Sequence, residues 1–423
     1  MTPEGWEKQP LRAVCEKITD GTHRSPLNVP FGFLYVTSKN VRPFRLELKE
    51  PLYVCEADHR VIYARCDVRK GDVLLTKDGA NTGNAVVNPI EEQFSLLSSV
   101  ALLRPSKTSL DAKFLCQFLN SPIGRAQTSG AMDGLAIRRL TLAKINELVL
   151  QLPPLDQQKK IAAILSSVDE AIEATQAVID QLQVVKKAMM AELLTRGLPG
   201  RHTRFKQTEV GEVPETWAVL RFGDLLLAGT LNGVYKPASF YGSGTPMLDM
   251  GDLFRSEIVQ ERERRRVRLD QREERFVLQE GDLLFARRSL KVEGSGQCAL
   301  VPALSEYPVP ESSIIRARLD RSRCHPAFLL YFWNGPVGHQ LRMSIARQVA
   351  VSGISAGDLV QQPVPVPPLA EQQAIAAGLD ILRARAVAEE NSRAALVLMK
   401  SALMSVLLTG ELRVTPDARP EPA

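Results

Sequence analysis

Two stretches of the chain space their apolar positions as a helix does. Ile161, Leu165, Val168, Ile172, Ile179, Leu182, Met189 and Leu193 fall four and three residues apart, with Thr175 and Lys186 completing the series. Alternating steps of four and three average 3.5 residues, the period of a helix packed lengthwise against another helix. A Pro-Pro pair and Asp156 punctuate the start, and Gly197 with Pro199 the end, so the pattern predicts one helix of about 40 residues, roughly 60 Å long. The seam returns as Ile375, Leu379, Leu382, Ala386, Leu396, Leu403 and Leu407. There Glu389 and Arg393 interrupt it and alanines crowd its middle, so the second helix should pack closely but less stably.

Ahead of each helix the pattern changes to short β-rich runs such as "GDVLLT", "SSVALLRP", "GDLLFA" and "SSIIRARL", broken by Gly, Asn and Pro. Each region is expected to be a mixed α/β globule ending in a short helix near Phe114 or Phe328. The resulting division is a globule over 1–150, a helix within 151–198, a linker over 199–213, a second globule over 214–365, a helix within 366–412 and a flexible tail over 413–423.

The two halves are copies of one another. Pairing Pro153 with Pro367, an offset of 214, also pairs Ile161 with Ile375, Lys186 with Lys400 and Met190 with Met404. The register holds upstream, where "FLCQFLNSPIG" meets "FLLYFWNGPVG" and Ser98-Ser99-Val100 meets Ser312-Ser313-Ile314. Further upstream Gly71-Asp72 pairs with Gly281-Asp282 at an offset of 210, and "PEGW" with "PETW" at 211. A repeat of this length makes each half one structural unit. The change from 210 to 214 assigns four extra residues to one segment, between "GDVLLTKDGANTGNAVV" and "GDLLFARRSLKVEGSGQCALV". One heptad helix alone would suggest a homodimer; two matched seams in one chain favour an intramolecular pair. Because the second helix ends where a third copy would begin, the two termini are expected to lie close.

Composition narrows the function classes. With 423 residues, 44% hydrophobic and 24% charged, the chain has material for two globular cores. Its N-terminus lacks an apolar leader and no apolar run reaches bilayer length, so a cytoplasmic location with no membrane partner is expected. The six cysteines show no C-x-x-C spacing and are expected to be reduced and structural. The net charge of +5 is too small to argue for a polyanion, so any DNA surface must be a local patch. There is no phosphate loop, no Asn/Asp-Pro-Pro-aromatic methyltransferase motif and no H-E-x-x-H, and the five histidines lack metal-ligand spacing. No catalytic centre, metal or cofactor is expected.

The pattern resembles the specificity subunits of type I restriction-modification systems. The likeness spans essentially the whole chain and rests on "LPPLDQQKKIAAIL…LLTRGL" and "VPPLAEQQAIAAGL…LLTGEL", on the linker "FKQTEVGEVPETW", and on "ITDGTHRSP", "GDVLLT" and "GDLLFAR". It implies that each globule is a target recognition domain reading one half of a split sequence in double-stranded DNA. The two helices would form an antiparallel coiled coil that fixes the gap. It implies as partners two methyltransferase subunits, acting on adenine, and the restriction subunits of an ATP-dependent nuclease, whose chemistry this chain would direct without performing.

Base reading calls for Arg toward guanine, Asn or Gln toward adenine and apolar groups toward thymine methyls, on loops held by a fixed frame. The remodelled segment offers Lys77, Asp78, Asn81, Thr82 and Asn84 in the first half and Arg287, Arg288, Ser289 and Lys291 in the second. Its glycines could equally mark ordinary solvated turns. A second candidate is Thr22, His23 and Arg24, with Tyr235 and Lys236 as counterparts. A third is Arg138-Arg139 in "GLAIRRL", which become Ser352-Gly353 in an otherwise apolar match. The run "ERERRRVRLDQREER" balances seven arginines with five acids and reads as a solvated strand and turn. Two other functions compete: a scaffold built on the helices with no DNA dependence, and a DNA enzyme with an unrecognised centre.

Overall fold

The computed structural model describes residues 3–132, 139–347 and 352–415. The chain forms two compact units, Met1–Gln176 with Asn391–Ala423 and Ala177–Glu390, so the division falls inside each long helix rather than at its ends.

In the first unit, β1 (Cys15–Asp20), β2 (Val73–Thr76), β3 (Ala85–Val87) and β4 (Val100–Pro105) form an antiparallel sheet in the order β1-β4-β2-β3. Successive side chains of a strand point to opposite faces, and both faces are covered here. Val73, Leu75, Ala101 and Leu103 join one core, under α1 (Ala112–Asn120), while Leu74, Val100 and Leu102 join another with Val36 and Phe94. Burial on both sides explains why these strands read as continuous apolar runs instead of alternating. Asp111 caps α1 by accepting from the Phe114 N–H at 2.9 Å.

The second unit repeats the plan. β5 (Leu231–Asn232), β6 (Leu283–Ala286), β7 (Cys298–Leu300) and β8 (Ile314–Ala317) lie in the order β5-β8-β6-β7, with α3 (Pro326–Asn334) on one face. The long helices are α2 (Leu155–Arg196) and α4 (Leu369–Leu407). In the first unit Ile161 and Leu165 of α2 share a core with Met404 and Leu407 of α4; in the second, Met190 and Leu193 share one with Ile375 and Leu379. Each unit thus joins the N-terminal part of one helix to the C-terminal part of the other. Of the seam positions, Val168 and Ile179 are buried, whereas Ile172, Leu182, Met189, Leu382, Leu396 and Leu403 are half-buried.

Polar contacts recur between the copies. Gln158 is fully buried: its amide donates to the carbonyls of Ser109 and Pro153 at 2.8 Å each, and its carbonyl accepts from the Asp111 N–H at 2.9 Å. Gln372 makes the corresponding bonds to Arg323, Pro367 and His325. Trp6 donates to Gln157, and Trp217 to the aligned, fully buried Glu371, which also bonds His202 at 2.7 Å. Asn120 and Asn334 each exchange two hydrogen bonds with the neighbouring strand. Arg104 grips Asp72 through two nitrogens, as Arg318 grips Asp282.

The strand registers correct the placement of the extra residues. β2 and β6 are offset by 210 and β3 and β7 by 213, so the connecting loop is three residues longer in the second unit. The fourth extra residue lies beyond β7, because Ser95 and Val309, which open the next strands, are offset by 214. The expected closeness of the termini is visible within the first unit, where a Cβ at Gly410 would come within 2.5 Å of Pro3. Gly410 itself sits at φ 73°, which only glycine adopts freely.

Candidate nucleic-acid interface

In the first unit, β1 ends at Asp20 and the chain turns through Gly21, where a Cβ would lie 1.9 Å from the Leu96 carbonyl oxygen. Only glycine allows that approach. The turn leaves Asp20 buried and ringed by basic side chains: Arg65 at 2.7 Å, His23 at 3.3 Å and Lys77 at 3.4 Å. Lys77 also lies 3.5 Å from Asp78, and Asp78 lies 3.5 Å from Arg139. The three segments singled out from the sequence therefore meet around two carboxylates. Lys77 itself is buried, so its charge holds the cluster together; His23, Arg24 and Arg139 form its exposed rim.

The other candidates divide between inward and outward. Asn84 is buried, donating to the Val41 carbonyl and accepting from Arg125 at 2.8 Å, while Asn81 donates to the Ser38 carbonyl and Thr82 to that of Gly79. Thr22 accepts from the Arg24 N–H at 3.1 Å. Arg138 lies outside the described residues. Arg125 braces the loop from beneath, and its burial pulls its pKa below the ordinary value.

In the second unit the turn at Gly233 passes as closely to the Pro310 carbonyl oxygen, 2.1 Å from a Cβ, but Asn232 replaces the buried aspartate. Tyr235 is 81% exposed, whereas Lys236 is buried against Glu273 and over the Phe240 ring. Arg287 takes the place of Lys77, and Arg288, Leu290 and Lys291 are exposed. Ser289 pairs with Ser352 in a two-stranded ladder. Buried Arg342 supports this loop through the Ser295 carbonyl.

Three of the seven arginines in the arginine-rich run have carboxylate partners. Arg262 and Arg264 bond Asp252, whose carboxyl they hold below its ordinary value against the opposing, larger effect of burial; Arg266 pairs with Glu306, and Arg265 lies over Tyr241. They line a cavity of about 710 Å³ with Glu261 and Glu263.

Sequence reasoning missed Asp20 as the hub and Leu27, Phe31 and Leu290 as apolar side chains 83% to 93% exposed. The Asp-Gly and Asn-Gly pairs were the available signal for the hub. Exposure of single apolar residues carries no sequence signal at all.

Among the described residues no group of His, Cys, Asp and Glu is arranged to hold a metal ion, and no helix is long and apolar enough to cross a membrane. All six cysteines are free, and burial pushes the thiols of Cys15, Cys66, Cys116 and Cys324 up to about 12. They are neutral near pH 7 and poor nucleophiles.

Residues 63–184 match the type I restriction modification DNA specificity domain. The chain is 25% identical over 353 residues to the type I restriction enzyme MjaVIII specificity subunit of Methanocaldococcus jannaschii, covering 82% of this chain and 80% of that one. It is 24% identical over 386 residues to the EcoKI specificity subunit of Escherichia coli, covering 88% and 81%. The chain thus carries a match to the type I restriction modification DNA specificity domain over residues 63–184 and is similar to specificity subunits over most of its length. Its fold is shared with the specificity subunit from M. genitalium, at TM-score 0.59 and 12% identity over 95% of this chain and 96% of that one. A chain from a type I restriction-modification assembly matches at TM-score 0.56 and 19% identity, over 97% of this chain and 100% of that one.

Proposed function

We propose that the chain is the DNA-reading subunit of a type I restriction-modification assembly and that each of its units is a target recognition domain for one half of an asymmetric, split target. The observation that carries this reading is one backbone frame retained around two chemically different loops. A frame maintained for packing alone gives no reason to exchange Lys77-Asp78 for Arg287-Arg288 while the backbone bonds of Lys77 to Ser99 and Leu140 recur at Arg287 with Ser313 and Ile354. The exposed rim of each unit supplies phosphate-positioning and base-reading groups, and Leu27, Phe31 and Leu290 supply apolar contacts of the kind thymine methyls take.

The helix pair serves as an antiparallel coiled-coil spacer that sets the gap between half-sites. The repeated seams present equivalent surfaces to two modification subunits, and restriction subunits join through that complex. The chain itself performs no chemistry. Mapping methylated adenines in an unmodified host that expresses the chain with its methyltransferase partner tests the proposal. A single split motif with a fixed gap is the expected result; a stable complex that leaves no new methylation would overturn it in favour of a scaffold.

A further inference from the structure

The ladder beside each reading loop carries its arginine on opposite strands in the two units. In the first, Asp78 faces Arg139 across an antiparallel bridge; in the second, Arg288 faces Gly353. The equivalence rests on backbone contacts. Lys77 donates its N–H to Ser99 and accepts from Leu140, and Arg287 makes the same two bonds with Ser313 and Ile354. Asp78 thus corresponds to Arg288, and Arg139 to Gly353.

Packing explains the exchange. A Cβ at Gly353 would lie 2.5 Å from the Arg287 carbonyl oxygen, so position 353, the equivalent of Arg139, cannot present a side chain without a shift of the backbone. Arg347, bridged to the other side of Gly353, is paired with Asp358, whereas Arg288 is exposed and, among the described residues, has no acidic partner. In the first unit Arg139 is 67% exposed, and its Nε lies 3.5 Å from a carboxylate only 20% exposed. Oδ1 of Asp78 is buried without a hydrogen bond, so it is closed to a base yet free to orient the guanidinium. Across the four equivalent positions the first unit, with Asp20, Lys77, Asp78 and Arg139, is neutral, and the second, with Asn232, Arg287, Arg288 and Gly353, has two uncompensated positive charges.

We propose that Arg139 and Arg288 are the equivalent guanine-contacting arginines of the two units, delivered from opposite strands of one ladder, and that Asp78 is the positioning residue for Arg139. A guanidinium matches the O6 and N7 acceptors of guanine in the major groove, with discrimination of about 5- to 150-fold against the wrong base. The assignment rests on the DNA-reading role proposed above.

The test is base-resolved adenine-methylation mapping with the full chain in complex with its methyltransferase subunits. R139A should relax selection at one base pair of one half-site, and R288A at one base pair of the other. D78N should relax the same position as R139A, and D78N/R139A should go no further than R139A. D78R/R139G, which gives the first unit the arrangement of the second, should keep the selection that R139G loses. Relaxation in the same half by both alanine variants, or in neither, would overturn the assignment. Intact selection in D78N would remove the positioning role, and a D78R/R139G variant no better than R139G would refute the ladder equivalence. Should that double variant fail to fold, the two exposed alanine substitutions still decide the matter. As a second readout, R288A should weaken binding to the cognate duplex about 5- to 150-fold while leaving the slope of log affinity against log salt on a random-sequence duplex unchanged; a slope lower by about 1 would make Arg288 a phosphate contact and overturn its base-reading role. A wild-type complex that yields no split motif would defeat the DNA-reading function itself, whereas a clear motif untouched by either arginine variant would defeat this assignment alone.

Discussion

Replacing Gln158 by alanine tests whether the repeat is a physical frame. The fully buried amide makes three hydrogen bonds of 2.8 to 2.9 Å, two to the turn before α1 and one to Pro153 just ahead of α2. Gln158→Ala leaves two carbonyls and one N–H without their partner in a site closed to water. At about 1 kcal/mol for each lost bond, rising where a buried group stays unsatisfied, the expected cost is about 3 kcal/mol. Peptide-resolved hydrogen exchange reads the two units separately in one experiment. Amides of α1 and the first turns of α2 should exchange roughly 100-fold faster, with α3 and the start of α4 unchanged. Gln372→Ala should produce the mirror result, since its three bonds of 2.7 to 3.1 Å are the aligned ones. Less than a threefold change in either variant, or equal acceleration in both units, would refute the reasoning.

Gly21→Ala must push the turn off Leu96 and is expected to cost about 2–3 kcal/mol in thermal unfolding; a midpoint within a degree of wild type would contradict the close approach. Arg104→Met strands the buried Asp72 carboxylate, with an expected loss of about 3 kcal/mol in urea unfolding. Arg104→Lys should fall between the two, because it keeps the charge and loses the two-pronged grip; equal stability of all three would refute it. His59 is buried in a stack on Phe33 with ring centroids 3.8 Å apart, and burial pulls its pKa below the ordinary 6.5 against the opposing Gln93 bond and Glu56 charge. A depressed histidine stabilises the fold above its unfolded pKa of about 6.5 and loses that contribution as pH falls through the folded value. Stability measured by urea unfolding should therefore drop from pH 7.5 to 5.5, and more steeply in wild type than in His59→Gln; parallel profiles would sink the assignment.

Much of the architecture was legible because its signals are periodic or repeated. The heptad seam announced α2 and α4, and burial on both faces made β2 and β4 readable as apolar runs. Internal alignment located the loop that differs, although only three of the four extra residues fall inside it. The site was legible by residue type and not by role. Nothing near Asn84, Lys77 or Lys236 in sequence marks them as inward-facing, since their partners Val41, Asp20 and Glu273 come from distant segments.

The sequence by itself determined that there are two copies of one unit, where the long helices run, and which segments vary between the copies. These depend on local periodicity and on comparing the chain with itself. Only the tertiary structure decided that the unit boundary cuts through the helices, that Asp20 gathers Arg65, His23 and Lys77 around it, and that Gly353 packs against Arg287 too closely to carry a side chain. Those outcomes follow from packing between residues far apart in the chain, where a contact of 2 or 3 Å decides which side chain fits, and no spacing along the sequence encodes that distance.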